Sequence, residues 1–421
     1  MKDFNWLRFL RLPAFGLLIT LPAFAQTTVI EAPNPAIQDT VLTGYTTSSL
    51  TPLYYGLGSD RLGGARMETL DSGVVLTITG RMDRGPDTTQ RLWRVRLAGS
   101  LTGFVPDTQV TTDTLTVGTT GLLTGNWTVY GDTSRPARFD YVAIRLPARL
   151  PYRSQQQVDP SRILIDVFGA TANTNWITQL RSVQAIRAVW FEQMADDMFR
   201  IYIDLKQAQS WGYSVYYQKT TLIVRVRRPQ VRRSLRGLTI AVDAGHGGSN
   251  TGARGLQSGQ LEKNLTLDVA RRLQTRLERA GAIVLMTRQS DTNIGPSDRI
   301  RAMRRALPDL LVSIHFNASG NKAVRGVSTY YKHVGFRRLS ETVLNELVRA
   351  RVGRSATGAF GNIGHFNFFF NGPTDYPNVL VEGPFLSNSA DEALITSEAY
   401  REQMATAIRR GIRRFVRQKP R

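Results

Sequence analysis

The chain has 421 residues, with 54 Lys+Arg against 33 Asp+Glu, 4 His and no Cys, for a formal net charge of +21. Without cysteine, a disulfide scaffold, a cysteine-ligated zinc finger, an iron–sulfur centre and a thiol nucleophile are all excluded. The length suggests about two to four domains, and a hydrophobic content of 42% fits a globular chain rather than a disordered one. The basic excess, mostly Arg, suits an anionic partner such as nucleic acid, acidic lipid or an acidic wall polymer, without choosing among them.

Lys2, Arg8 and Arg11 precede an apolar run from Leu12 to Phe24, and Ala23-Phe24-Ala25 supplies small residues for a peptidase pocket. This predicts a secretory signal over residues 1–25, cleaved before Gln26. The run, 13 residues, falls short of the roughly 20 residues a bilayer span needs, and no later stretch qualifies. An exported, basic protein of the periplasm or cell wall is therefore expected, with no transmembrane segment after cleavage. Export weighs against nucleic acid as a partner and favours anionic envelope polymers.

Residues 27–111 show short alternating runs such as Gly73–Ile78 and Leu92–Leu97, separated by turn formers such as Asp71-Ser72-Gly73. This is the pattern of short antiparallel strands. The stretch Trp93–Pro106, ending Leu101-Thr102-Gly103-Phe104-Val105-Pro106, resembles the closing strands of bacterial SH3-like wall-binding modules. A second β-rich pattern covers residues 137–229, with strands at Tyr141–Leu146, Arg162–Gly169, Phe199–Leu205 and Thr221–Val226. Their order resembles the AMIN module, a β-sandwich that targets some exported wall amidases to peptidoglycan; a plain structural spacer is the alternative. Trp176, Trp190 and Trp211 are expected in cores. The arginines of Arg225–Arg236, around Pro229, predict a solvated basic linker, placed at residues 230–237, ahead of the last domain.

All four histidines, His246, His315, His333 and His365, lie in the last domain, residues 238–417. Leu238–Asp243 reads as a buried strand running into Ala244-Gly245-His246-Gly247-Gly248, so His246 stands at a strand's carboxyl end, where open α/β sheets place ligands. The glycines fit neither a dinucleotide fingerprint nor a P-loop, since Asn250 and Gly252-Ala253-Arg254 stand where those motifs need other residues. Glu262 opens a helix whose Leu265, Val269, Leu273 and Leu277 form one apolar stripe. Alone, it would be a simple favourable charge at a helix start. His315 ends a second apolar strand, Asp309–Asn317. Two strand-end histidines and a carboxylate make the His/Glu/His set of a catalytic zinc site with an open fourth position. Glu382 interrupts the apolar strand Asn378–Phe385. A buried carboxylate needs either a cationic partner or a proton-transfer task, and beside a metal that task is general acid–base catalysis. His333 is expected to face solvent and His365 to be an exposed loop residue.

Residues 238–417 resemble the zinc-dependent N-acetylmuramoyl-L-alanine amidases of the Amidase_3 type. The resemblance rests on Asp243–Gly248 with Thr251-Gly252-Ala253, Glu262-Lys263-Asn264, Thr287-Arg288, Arg299, Ser313–Asn317 and Leu380–Asn388. It implies a mixed sheet flanked by helices, zinc held by His246, Glu262 and His315, and Glu382 as catalytic acid/base. It further implies cleavage of the amide between N-acetylmuramic acid and L-alanine in peptidoglycan, for wall remodelling or daughter-cell separation. The whole chain then reads as N-terminal all-β modules, SH3-like or AMIN-like, followed by an α/β amidase domain. Pro384-Phe385 departs from the family's usual Gly-Phe, and Gly361–Phe366 departs from its usual pattern. Some relatives insert an inhibitory helix between the second His and the catalytic Glu; here there is room only for one ordinary helix, Leu339–Val352, so no plug over the metal is expected. Two other readings stay open, a wall-binding protein with an inert amidase domain and an arginine-driven binder of DNA or anionic lipid.

Overall fold

The alternating front of the chain becomes antiparallel sheet. In the computed structural model, which describes residues 37–56, 66–83, 91–113, 121–133, 138–229, 233–352 and 361–418, Val74, Leu76 and Ile78 are buried while Val75, Thr77 and Thr79 are partly exposed. This period of two puts one face of the strand on a core. Seven strands pair antiparallel in the order Arg66–Leu70, Thr51–Tyr54, Leu101–Pro106, Arg91–Ala98, Val75–Asp83, Ile37–Thr46 and Val110–Asp113. The signal sequence expected over residues 1–25 lies outside the described residues.

The second unit has two sheets. One contains Tyr152–Val158, Ser161–Phe168, Met198–Leu205 and Ile186–Ala195; the other contains Ile177–Gln179, Trp127–Gly131, Phe139–Arg145, Thr221–Arg227 and Tyr213–Gln218. The unexposed Trp127 of the second sheet meets Phe191 and Phe199 of the first, with ring centroids 5.2 and 6.0 Å apart. The two sheets thus share one interior as a sandwich. This sandwich takes in Trp127–Gly131, ahead of residue 137.

The last unit is a six-stranded mixed sheet with helices. Its elements are β1 Thr239–Ala244, α1 Glu262–Arg279, β2 Ile283–Met286, α2 Pro296–Ala306, β3 Leu310–Phe316, β4 Ser328–Tyr330, α3 Arg337–Arg349, β5 Gly361–Ile363, β6 Asn378–Gly383, α4 Ser389–Ile395 and α5 Glu398–Arg417. The strand order is β2-β1-β3-β6-β4-β5, with β2, β1, β3 and β6 mutually parallel and β4 antiparallel to β6. Every residue of β3 is buried, as a central parallel strand covered on both faces requires. On α1 the stripe Leu265, Val269, Leu273 and Leu277 is buried; Glu262 occupies the first turn and Arg276 and Arg279 the last, so charge complements the helix dipole at both ends. Helix α3 packs Leu339, Val343 and Leu347 into the same core as Ile408 and Ile412 of α5. Among the described residues, the helix between His315 and Glu382 therefore belongs to the core. No helix of the described residues is long and apolar enough to cross a membrane.

The units are welded rather than strung on a solvated tether. Arg227 is 1% exposed and donates to Asp309 Oδ1 at 3.1 Å, which also receives Arg138 at 2.5 Å. Arg228, 6% exposed, reaches Asp140 Oδ1 at 2.8 Å. This corrects the reading of Arg225–Arg236 as a solvated run only at its start, because carboxylates remote in sequence draw Arg227 and Arg228 inside, while Arg233 and Arg236 are exposed. Ser214 donates to Asp375 at 2.6 Å across the same junction, and Trp211 packs on Phe415 of α5 at 5.4 Å. Of the other tryptophans expected in cores, Trp176 is 61% exposed, and Trp190 lies flat on Tyr202 with centroids 3.7 Å apart. Stacking on the outer sheet face takes the place of burial for Trp190.

Candidate metal and hydrolysis site

The site forms where β1 and β3 end side by side. Gly245 N–H donates to Ile314 O at 3.0 Å, extending the pairing of the two strands to the residue before His246. His246 itself has φ +61°, a left-handed conformation that is costly for a side chain bearing Cβ. Two buried arginines hold it there. Arg299 donates to Ala244 O at 2.8 Å and His246 O at 2.6 Å, and Arg288 to Ala244 O and Gly245 O, each at 2.9 Å. The unexposed Asp243 anchors Arg299 at 2.9 Å and accepts hydroxyls from Ser313 and Thr287, both at 2.6 Å. Burial pushes the Asp243 carboxyl up, but Arg299 and these hydroxyls prevail and hold it below its ordinary value.

Three side chains converge beyond this loop. His246 Nε2 lies 3.0 Å from Glu262 Oε1, His315 Nδ1 lies 3.2 Å from the same oxygen, and the two nitrogens are 3.2 Å apart. Donors about 2.0–2.1 Å from a tetrahedral zinc stand about 3.3 Å from one another, so the three atoms fit the edges of one such coordination shell. The outer contacts of His246 and Glu262 agree with that use, while His315 Nε2 is enclosed without a partner. Asn250 Oδ1 accepts from His246 Nδ1 at 2.9 Å and from Gly252 N–H at 3.3 Å. The backbone donor fixes the amide's orientation, so His246 carries its proton on Nδ1 and turns the Nε2 lone pair inward. Glu262 is 4% exposed; its Oε2 accepts Ala253 N–H at 2.8 Å and its Oε1 accepts Phe316 N–H at 3.0 Å. Burial raises the Glu262 carboxyl, yet hydrogen bonds from His246 and His315 outweigh it and hold the group far below the ordinary carboxylate range. Burial lowers His246, and the Glu262 contact more than reverses this, for a net rise. Two imidazole nitrogens and a carboxylate oxygen make a donor set that suits a borderline divalent ion such as zinc.

Glu382 stands directly opposite His315 in the parallel pairing of β6 and β3. Its Oε2 is enclosed without a hydrogen-bond partner. Desolvation, then the negative charge of Glu262, push its carboxyl well above the ordinary value. An orphaned carboxylate beside a converged donor set can take up and return a proton at neutral pH. No ion pair to Glu382 is present among the described residues. Phe368 closes another side, its ring edge-on to His315 at 5.7 Å.

The sequence pointed to all four of these side chains, but it gave no role to Asn250, only four residues beyond His246, or to Phe368. The two remaining histidines lie apart from the cluster. His365 is exposed. His333, expected to face solvent, is instead half-buried, with Nε2 2.8 Å from Gly372 O. Burial, then neighbouring Lys332, lower its pKa to about 3, because a second positive charge there has no water to screen it.

Residues 240–414 match the sequence profile of the family described as N-acetylmuramoyl-L-alanine amidase, and residues 132–228 that of the AMIN domain. The N-acetylmuramoyl-L-alanine amidase LytC of Bacillus subtilis is 32% identical over 45% of this chain and 37% of its own length. The germination-specific N-acetylmuramoyl-L-alanine amidase of the same organism is 30% identical over 44% of this chain and 82% of its own. A probable cell wall amidase, LytH, of Staphylococcus epidermidis is 33% identical over 43% and 59%. The chain thus spans less than two thirds of LytC and of LytH. Among solved structures, the amidase AmiC2 of Nostoc punctiforme aligns with 31% identity over 43% of this chain and 98% of that one, at a TM-score of 0.40.

Proposed function

Since the chain belongs to the Amidase_3 family of N-acetylmuramoyl-L-alanine amidases, we propose that it is an exported zinc amidase that hydrolyses the bond between N-acetylmuramic acid and L-alanine in peptidoglycan. The observation that carries this reading is the convergence of His246 Nε2, Glu262 Oε1 and His315 Nδ1 within 3.0–3.2 Å of one another, with Glu382 opposite His315. A zinc ion held by these three donors supplies Lewis-acid polarisation of the scissile carbonyl and a water acidic enough to react near neutral pH. Glu382 receives the proton of the attacking water and delivers it to the departing alanine nitrogen. Its raised proton affinity suits both halves of that transfer. Arg288 and Arg299 keep His246 in its left-handed conformation, and Asn250 keeps it in the right tautomer.

The predicted signal segment, the AMIN domain and the strongly basic surface support action outside the cytoplasm, in the periplasm or wall, with peptidoglycan and anionic envelope polymers as partners. A role in wall remodelling or daughter-cell separation follows from that location. The packing of α3 into the core supports hydrolysis without an activator. Glu382→Gln is expected to keep its zinc and to release stem peptides from sacculi about two or more orders of magnitude more slowly than the parent chain, measured by mass spectrometry of the soluble fragments. A near-normal rate removes Glu382 from the mechanism. Sacculus binding by the parent chain without any release favours an inert wall-binding protein.

A further inference from the structure

The three units meet around a cavity of about 440 Å³ whose wall includes Tyr55 and Arg66 of the first sheet, Arg153 and Gln156 of the sandwich, and Lys332 and Asn367 of the last domain. Its polar lining is rich in donors. Lys332 is half-buried, and no hydrogen bond or ion pair engages it among the described residues. Gln156 gives its Oε1 to Gly335 N–H at 3.0 Å, while its Nε2 is enclosed without a partner. Arg153 is paired with Asp166, and the buried Arg66 donates to the neutral Asn367. Glu68 also borders the cavity, but its Oε2 already accepts Ser154 N–H and Oγ–H at 2.9 and 2.7 Å and its Oε1 accepts Thr69 N–H at 3.0 Å.

A half-buried ammonium that meets no acceptor, lining a cavity, is poorly solvated and gains from an anion placed beside it. Burial, then Arg66, bring the Lys332 pKa down to about 8, with Glu68 partly opposing, so the group is still mostly cationic at neutral pH. The complement of this lining is an anion with several acceptor oxygens.

The cavity also adjoins the hydrolysis site through one short segment. Arg66 donates to Asn367 O at 3.2 Å and Oδ1 at 3.1 Å, and accepts from its side-chain amide at 3.2 Å. The next residue, Phe368, stands against His315, and Arg66 lies over the ring of Phe369 at 4.8 Å. One face of this segment thus borders the cavity and the other the metal-binding histidine. On the alanine side of the scissile amide, the substrate's anions are the carboxylates of a peptide.

We propose that this cavity is a carboxylate-binding subsite for the stem peptide, with Lys332 as the receiving donor and Arg66 fixing the wall it shares with the His315 site. The assignment to the stem peptide rests on the amidase reading. The test is calorimetric titration of the full mature chain with the tetrapeptide L-Ala-γ-D-Glu-L-Lys-D-Ala, with the same peptide amidated at both α-carboxyls, and with inorganic phosphate. The acidic peptide is expected to bind, and Lys332→Met and amidation each to weaken it by about tenfold or more. Without ligand, Lys332→Met should melt no lower than the parent, since methionine removes an unpaired, half-buried cation. Equal affinity of the parent and Lys332→Met, or of acidic and amidated peptide, overturns the proposal; so does phosphate binding through Lys332 in the absence of peptide binding. Binding is read without turnover. A chain that binds the peptide through Lys332 yet cuts no sacculus therefore upholds the subsite and defeats the amidase reading alone.

Discussion

Glu382 is held in a state that water would not favour. Its Oε2 has no donor, and desolvation together with the charge of Glu262 raise its carboxyl well above the unfolded value of about 4.3. Below the unfolded pKa the group is protonated in both states and contributes nothing unfavourable. As pH rises through the interval up to the folded pKa, the unfolded chain releases the proton while the fold must retain it or bury a charge, so stability falls. In chelator-treated protein, Glu382→Gln should therefore melt higher than the parent at about pH 8, with the gap closing toward about pH 4. A gap independent of pH, or a more stable parent at the higher pH, contradicts the burial argument. The residue was legible in the sequence because a lone acid broke an apolar strand. Asn250 was not, since its value depends on a loop that folds the amide back onto His246, and nothing in the string of letters gives that turn.

The loop from Gly245 to Ala253 and the start of α1 carry the remaining geometry. Gly252 has φ +67°, and a Cβ there would stand 2.5 Å from Glu262 Oε2 and 2.7 Å from His246 Cδ2. An alanine must push two of the three donors, so Gly252→Ala should weaken zinc binding by about tenfold or more, read by competition with a chromophoric chelator. Unchanged affinity means that the loop is not the rigid holder described. The strands before His246 and His315 and the stripe of α1 followed from hydrophobic period alone, because burial on one or both faces leaves that period in the sequence. Arg288 and Arg299 stood among the motif residues without a role, because the carbonyls they serve lie in other elements.

At the scale of the whole chain, the front β units are built onto the catalytic domain. Arg227 is buried against Asp309, and burial, opposed mainly by Asp309, brings its pKa down to about 10. Asp309 would keep Arg138 and Thr239 N–H as partners, so Arg227→Ala should cost about 1.5–3 kcal/mol in chemical denaturation, the worth of a buried charged hydrogen bond, whereas a solvated arginine would cost almost nothing. This junction was the least legible part of the sequence. A run of arginines around a proline has the composition of a linker, and only the fold brings Asp309 and Asp140 to meet it. The division into β-rich front and α/β back was legible, since strand-sized alternation gives way to helix-sized stripes after residue 237.

The most direct measurement is a zinc add-back. The chain lacking residues 1–25 is stripped with a chelator, titrated with zinc, and followed at each step for bound metal and for stem peptides released from sacculi. Release should rise in proportion to metal, level off at one zinc per chain, and vanish in His315→Ala. Hydrolysis that continues in the stripped protein, or one that ignores the loss of His315, would contradict a reaction built on His246, Glu262 and His315.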